Sequence, residues 1–251
     1  MNLLRNGHLK LWRWEVMWSV MKVGARTKNI SNTRLLKGGP YKLHIGPGPK
    51  WKKTGEEWVT LDVDPTRGDV VINLNDFEKL PFNNESVECI YGSHIFEHVS
   101  IYSSLRLFKE CYRILVPGGY FRLVLPDVRR SIKEYMIGNS RYQLFTRRKK
   151  RAKQWEIDDY TLFECLREDF ISRTGQTQVL AKLGARELAH QNAWDFETIV
   201  KDLCRAGFRA EDVHRMAFRT TNCSDFEFEG SYPSEANEEY RSLYVEARKI
   251  L

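Results

Sequence analysis

Apolar positions along the chain change period several times, and those changes outline the fold. In residues 1–24, Leu11, Trp14, Trp18 and Met21 recur at helical spacing until Gly24 breaks the pattern. This predicts an amphipathic helix, part of an N-terminal helical cap over 1–35. It reads either as a cap on the main domain or as a basic, Trp-bearing helix touching a membrane surface. Short apolar runs bounded by turn residues follow at Tyr41–Ile45, Trp58–Asp62, Val70–Leu74 and Val87–Gly92. A helix is predicted over Ser103–Leu115, then Pro117-Gly118-Gly119, then a fifth strand at Tyr120–Leu125. Strands alternating with helical patterns predict an α/β fold with a mostly parallel, covered sheet.

Residues 130–190 break this rhythm. They are helical in composition and rich in charge and aromatics, and they predict an insertion after the fifth strand. A helix at Phe196–Ala206, a turn at Gly207, and strands at Val213–Phe218 and Ser242–Arg248 return the chain to the sheet and close one edge. No internal repeat is present, and 1–251 reads as one domain carrying the cap and the insertion.

Composition narrows the class. With 42% hydrophobic and 29% charged residues, the 251-residue chain has material for a sizeable core. A net charge of +7 favours anionic partners. Five scattered cysteines without a C-x-x-C pair argue against a disulfide framework and against a thiolate zinc site. No apolar run reaches membrane-spanning length, and Arg5, Lys10, Arg13 and Glu15 interrupt the N-terminus. A cytoplasmic protein is expected. No feature points to a particular oligomeric state.

The first candidate site is the turn Gly46-Pro47-Gly48 directly after the first strand, where missing Cβ atoms let backbone approach a ligand. Asp62 closes the next strand, where a carboxylate can accept both hydroxyl protons of an adenosine ribose. A nicotinamide dinucleotide would need a third glycine, where Trp51 stands, and a helix N-terminus for its pyrophosphate. The short link between Gly48 and Trp58 has no room for that helix. S-adenosylmethionine carries a cationic sulfonium and no phosphate, so the spacing favours it. Val63, Asn73 and Leu74 at the next strand ends, and Ser93 with His94 at the fourth, complete the expected cofactor contacts. Asn73 reads equally well as a strand cap.

The segments LHIGPGP, TLDVDP, LPFNNESVECIYGSHIFEHV, FKECYRILVPGGYFRLVLPD and FETIVKDLCRAGF occur in this order. They resemble the consecutive motifs of the class I methyltransferases of the type 11 group, in particular a subgroup associated with surface-glycan biosynthesis. The resemblance covers roughly residues 41–128 and 190–218. It implies a Rossmann-like, seven-stranded, mostly parallel sheet with one antiparallel strand, S-adenosylmethionine as cofactor, and a sugar or other small-molecule hydroxyl as acceptor. Two positions depart from the family pattern. Pro47 replaces a small or Cys residue, and Asn73 replaces Asp, which bears on the adenine contacts.

For proton removal from the acceptor, His94 at the end of the fourth strand, Asp127 at the end of the fifth and His190 at the return of the insertion are the candidates. Asp127 and His190 also read as solvated loop residues. His98 follows His94 at i, i+4 with Glu97 between them, but two histidines without a third aligned ligand do not predict a metal, and none is expected. The place of an Asp/Asn-Pro-Pro-aromatic loop is taken by Gly92-Ser93-His94, which disfavours methylation of base amines in DNA. The run Arg147–Lys153 is expected to meet a phosphate or other anionic part of the acceptor, from a mobile, largely helical cover. RNA is the less favoured acceptor. A non-catalytic binding module of the same fold is a third reading.

Overall fold

The computed structural model describes residues 39–154, 159–171 and 189–250. The predicted cap over 1–35 and much of the late insertion lie outside them.

Seven strands form one sheet in the order β3-β2-β1-β4-β5-β7-β6. They are β1 (Tyr41–Ile45), β2 (Trp58–Asp62), β3 (Val70–Val71), β4 (Val87–Ser93), β5 (Leu115–Pro126), β6 (Val213–Met216) and β7 (Ser242–Arg248). β1 pairs in parallel with β2 and β4, β2 with β3, and β4 with β5. β7 runs antiparallel between β5 and β6. The carboxyl ends of β1 to β5 therefore share one edge, where open α/β sheets receive ligands.

Alternation along each strand builds two cores. Leu43, Ile45, Leu61, Ile90 and Leu123 face α1 (Ile101–Ile114) and α5 (Phe196–Ala206), which contribute Leu107, Phe108, Ile199 and Leu203. Ser100 starts α1 two residues earlier than predicted, because its side chain accepts the Ser103 amide at 3.2 Å. On the other face, Trp58, Tyr91, Val124 and Tyr244 lie under Phe226, Phe228 and Ala236 from the loop after β6. His44 is buried among these aromatics, its ring centroid 4.4 Å from Trp51 and 4.9 Å from Tyr91.

Several strand boundaries differ from the pattern, β6 for one ending at Met216 rather than Phe218. β3 stops at Val71, and the chain turns at Asn73, whose Oδ1 accepts the Asn75 amide at 2.9 Å. β5 starts early and runs through Pro117-Gly118-Gly119. Gly118 sits at φ +84, and a Cβ on Gly119 would stand 2.7 Å from the Glu88 carbonyl, so the glycines let the bend stay paired.

No helix separates β1 from β2, as the short link required. Between β5 and α5 the described part of the insertion is helical: α2 (Val128–Met136), α3 (Gln143–Gln154) and α4 (Leu162–Arg167). Phe145, Ala152, Tyr160, Cys165 and Leu166 give it a small core of its own. Among the described residues no helix is long and apolar enough to cross a membrane.

Candidate active site

The glycine turn leaves β1 with Gly46 at φ +62 and Gly48 at φ +67, conformations that cost an L side chain strain. A Cβ on Gly46 would lie 2.5 Å from Ile95 Cγ1, so the turn packs directly on the residue after His94. At Gly48 the nearest atom to such a Cβ is the Tyr232 hydroxyl at 3.7 Å, and that hydroxyl donates to the Pro47 carbonyl. A cleft of about 360 Å³ opens beside the turn, lined by Pro47, Gly48, Trp51, Thr60, Arg67 and Asp69 among others. None of Asp62, Ser93 and His94 lines it, so it is a separate cleft from the edge those residues form.

Asp62 ends β2 next to this turn with its side chain 10% exposed. Its Oδ1 accepts the Asp64 amide at 2.9 Å, and Oδ2 stands 3.7 Å from Arg67 Nε, an ion-pair contact too long for a hydrogen bond. Burial lifts this carboxyl above its ordinary value, against the pull of the Asp64 amide, Arg67 and the Val63 amide. One oxygen therefore retains acceptor capacity, as a ribose-binding carboxylate needs.

The remaining predicted cofactor residues divide. Val63 adjoins Asp62 at the same edge. Asn73 uses its Oδ1 to cap the strand, the structural alternative expected for it. The Leu74 side chain belongs to the core below the sheet. At the end of β4 the Ser93 hydroxyl is buried without a hydrogen-bond partner. A glycine cradle, a half-engaged carboxylate and an orphaned hydroxyl on one edge fit an adenosine-bearing cofactor.

His94 follows β4 at φ +50, a region non-glycine residues rarely adopt and one that concentrates at functional sites. Its side chain is 3% exposed. Nε2 lies 3.0 Å from Ser242 Oγ, while Nδ1 faces Glu97 Oε1 at 3.3 Å, off the line of a hydrogen bond, and Glu235 Oε2 at 3.7 Å. Burial alone would raise the Glu97 carboxyl, but His94, His98 and His190 take it down to about 2. Glu235 likewise falls to about 2, burial being outweighed by Arg241, His94 and Arg147. Nδ1 thus faces two carboxylates, while Nε2 meets Ser242 Oγ, which also reaches the Glu235 carbonyl at 3.1 Å.

His190 joins this group from the insertion, its ring 5.0 Å from that of His98. Burial lowers it to about 4, with Glu97 opposing, so it is neutral at physiological pH. Asp127 does not join. Its Oδ1 caps α2 by accepting the Arg130 amide at 3.0 Å, and Oδ2 pairs with Arg215 at 3.4 Å. That geometry gives Asp127 the structural role of holding the helix.

The residues of the basic run divide by partner. Arg147 is committed to Glu238 at 2.6 Å, and buried Arg148 to Asp169 at 2.5 Å and the Cys165 carbonyl at 2.6 Å. Lys153 pairs with Asp159 at 2.9 Å. Arg151 differs. Burial and the neighbouring Arg147, Arg241 and Arg148 lower its pKa against the pull of Glu235, and no carboxylate among the described residues pairs with it. Lys149 and exposed Lys150 have no carboxylate partner among the described residues either, but Arg151 is the one set among other arginines near Glu235.

Sequence reasoning missed Tyr232, Glu235 and Arg241, which close over the glycine turn and His94 from what reads as a polar connecting loop, and the role of Ser242 at the start of the final strand. The only signal was the mixture of aromatic and acidic residues in FEFEGSYPSEANEEYR.

Residues 51–123 match the model of the family described as Methyltransferase domain. The matched segment spans β2 to most of β5 of the seven-stranded, Rossmann-like sheet, and S-adenosylmethionine is the cofactor such a domain takes. An uncharacterized protein of Saccharomyces cerevisiae is 31% identical over 64 residues, covering 25% of this chain and 7% of its own length. The chain thus spans a small part of that relative. An S-adenosylmethionine-dependent methyltransferase from Mesorhizobium loti is 18% identical, with 84% of this chain and 92% of that chain covered and a TM-score of 0.42. A possible histamine N-methyltransferase from Thermotoga maritima is 14% identical over 97% of this chain and 95% of its own, with a TM-score of 0.40.

Proposed function

We propose that this chain transfers the methyl group of S-adenosylmethionine to a hydroxyl of a sugar or other small, anion-bearing acceptor, with His94 as the base. The observation that carries the reading is His94 itself. It is held in a strained conformation at the carboxyl edge, beside the glycine turn and between Glu97 and Ser242.

The cofactor supplies an electrophilic methyl group on a sulfonium. The protein's part is positioning and proton management. Gly46 and Gly48 admit the ligand to the backbone, Asp62 takes the ribose hydroxyls, and Val63, Asn73 and Leu74 border the adenine end. Ser93 and His94 border the reacting end. Glu97, ionised at neutral pH, lies beside Nδ1 and stabilises the imidazolium that forms when Nε2 takes the acceptor proton. Arg151 receives the anionic part of the acceptor, because it lies half-buried among Arg147, Arg148 and Arg241 without a carboxylate of its own. His190, whose Nδ1 is held by the Asp169 carbonyl at 3.1 Å, supports this arrangement rather than serving as the base.

The test is transfer of labelled methyl groups to pools of nucleotide sugars, glycans and RNA by wild type and His94→Gln. Label is expected in the sugar pools. His94→Gln should lower kcat by about 10²- to 10⁴-fold while S-adenosylhomocysteine affinity changes much less. Label in RNA alone would overturn the acceptor assignment, and full activity of His94→Gln would overturn the base.

A further inference from the structure

Glu97 and His98 stand in the short turn Phe96–His98 that follows β4, and His190 returns from the insertion against it. The backbone holds the two segments together. The Gln191 and Asn192 amides both donate to the Glu97 carbonyl, at 2.7 and 3.2 Å. The His98 carbonyl accepts Asn75 Nδ2 and Gln191 Nε2, each at 3.0 Å.

Within this frame one ligand atom from each of Glu97, His98 and His190 lies within 4.8 Å of the others. Glu97 is 1% exposed, and its Oε2 has no hydrogen-bond partner; the other oxygen is the one facing His94. His98 Nδ1 is likewise buried and unpartnered. An unpartnered carboxylate oxygen and imidazole nitrogen are costly to bury, and side by side they call for a shared electrophile. His190 is turned to supply the third ligand. Its Nδ1 lies 3.1 Å from the Asp169 carbonyl, which only accepts, so Nδ1 carries the proton and Nε2 carries the lone pair. A carbonyl holding the far nitrogen is how ligating histidines are oriented.

Two imidazoles and one carboxylate suit a borderline divalent ion of the zinc type and leave a fourth position open. Calcium, with its need for six or more oxygens, does not suit this set.

We propose that Glu97, His98 and His190 form a divalent transition-metal site that clamps the return of the insertion to the turn after β4. The sequence hid it because the i, i+4 pair His94 and His98 is not the ligand pair. His94 turns to Ser242, and the missing ligand comes from the far end of the insertion. Around a tetrahedral ion with ligands at about 2.0–2.1 Å, ligand atoms sit about 3.3 Å apart, so the three side chains close by rotation about their own bonds. The ion would share Glu97 with His94, so that loading it fixes the carboxylate that orients the proposed base.

The experiment uses the full chain stripped by chelator and titrated with Zn²⁺ by calorimetry, with Co²⁺ visible absorption reporting ligand geometry. One ion per chain is expected, with a Co²⁺ spectrum of distorted tetrahedral type. His98→Gln and His190→Gln should each weaken binding at least tenfold. Zn²⁺ should raise the melting temperature of wild type and not of either variant, while circular dichroism confirms that the metal-free variants are folded. Absence of saturable binding by wild type would overturn the site. So would binding retained by both variants.

Discussion

Arg122 clips the loop after β6 onto the sheet, and its removal should unsettle the fold far more than removal of one of its partners. The guanidinium is 1% exposed. Its Nε and Nη2 meet both oxygens of Glu229, at 2.7 and 2.6 Å, while Nη1 meets Glu246 at 2.7 Å and the Thr220 carbonyl at 3.1 Å. Glu246 in turn accepts the Asn222 amide at 2.9 Å, so the network fastens the start of the segment that carries Phe228, Tyr232 and Glu235. Arg122→Ala leaves two buried carboxylates facing each other without a counter-charge. Breaking a buried pair in this way costs about 3–5 kcal/mol. Glu229→Gln keeps the shape and one acceptor and leaves Arg122 matched to Glu246. It loses one charge-assisted bond outright, its amide NH2 then facing an Arg122 donor, for about 1.5–3 kcal/mol. Urea denaturation of the three proteins at pH 7 and equal ionic strength measures both values. If Arg122→Ala costs no more than Glu229→Gln, or if both fall below about 1 kcal/mol, the network is not the clip described.

Other perturbations separate the roles of neighbouring residues. Burial holds His44 at about 3, below its ordinary 6.5, so between these values the unfolded chain binds the proton and the fold does not. Stability is complete above pH 6.5 and is lost on acidification at about 1.4 kcal/mol per pH unit from this residue, a slope that His44→Phe should flatten in denaturation curves between pH 6.5 and 4.5. Gly48→Ala should cost about 1–2 kcal/mol for its left-handed backbone, and Gly46→Ala clearly more because its Cβ would press on Ile95; equal melting temperatures would contradict the contact. Within the basic run, Arg148→Ala should destabilise by about 3–5 kcal/mol through the stranded Asp169. Arg151→Gln should leave stability alone and raise KM for an anionic acceptor, with exposed Lys150→Gln as the control that changes neither.

The sheet was readable because its strands are buried on both faces and punctuated by glycine and proline. Tyr41–Ile45, Trp58–Asp62, Phe196–Ala206 and Ser242–Arg248 stand where the pattern puts them. Boundaries slipped where a side chain decided the matter locally, as when Asn73 capped and ended β3 early or Gly118 and Gly119 let β5 continue. At the site, Gly46, Gly48, Asp62 and His94 are legible because each sits at a strand end, which sequence order locates. Asp127 stayed ambiguous because a strand-end carboxylate and a helix N-cap look alike until the next helix is placed. The basic run misled because pairing cannot be seen in one dimension: Arg147 finds Glu238 and Arg148 finds Asp169 across long stretches of chain. The closure by Tyr232, Glu235 and Ser242 was hidden for the same reason.

The most direct test of the account is calorimetric titration of wild type and Asp62→Ala with S-adenosylhomocysteine. Wild type is expected to bind one equivalent, and Asp62→Ala, still folded, to bind roughly tenfold to a hundredfold more weakly, the worth of about 1.5–3 kcal/mol for a lost charge-assisted acceptor. No binding by wild type, or equal affinity in the two proteins, would contradict the assignment of the cofactor to the edge formed by Gly46, Gly48 and Asp62.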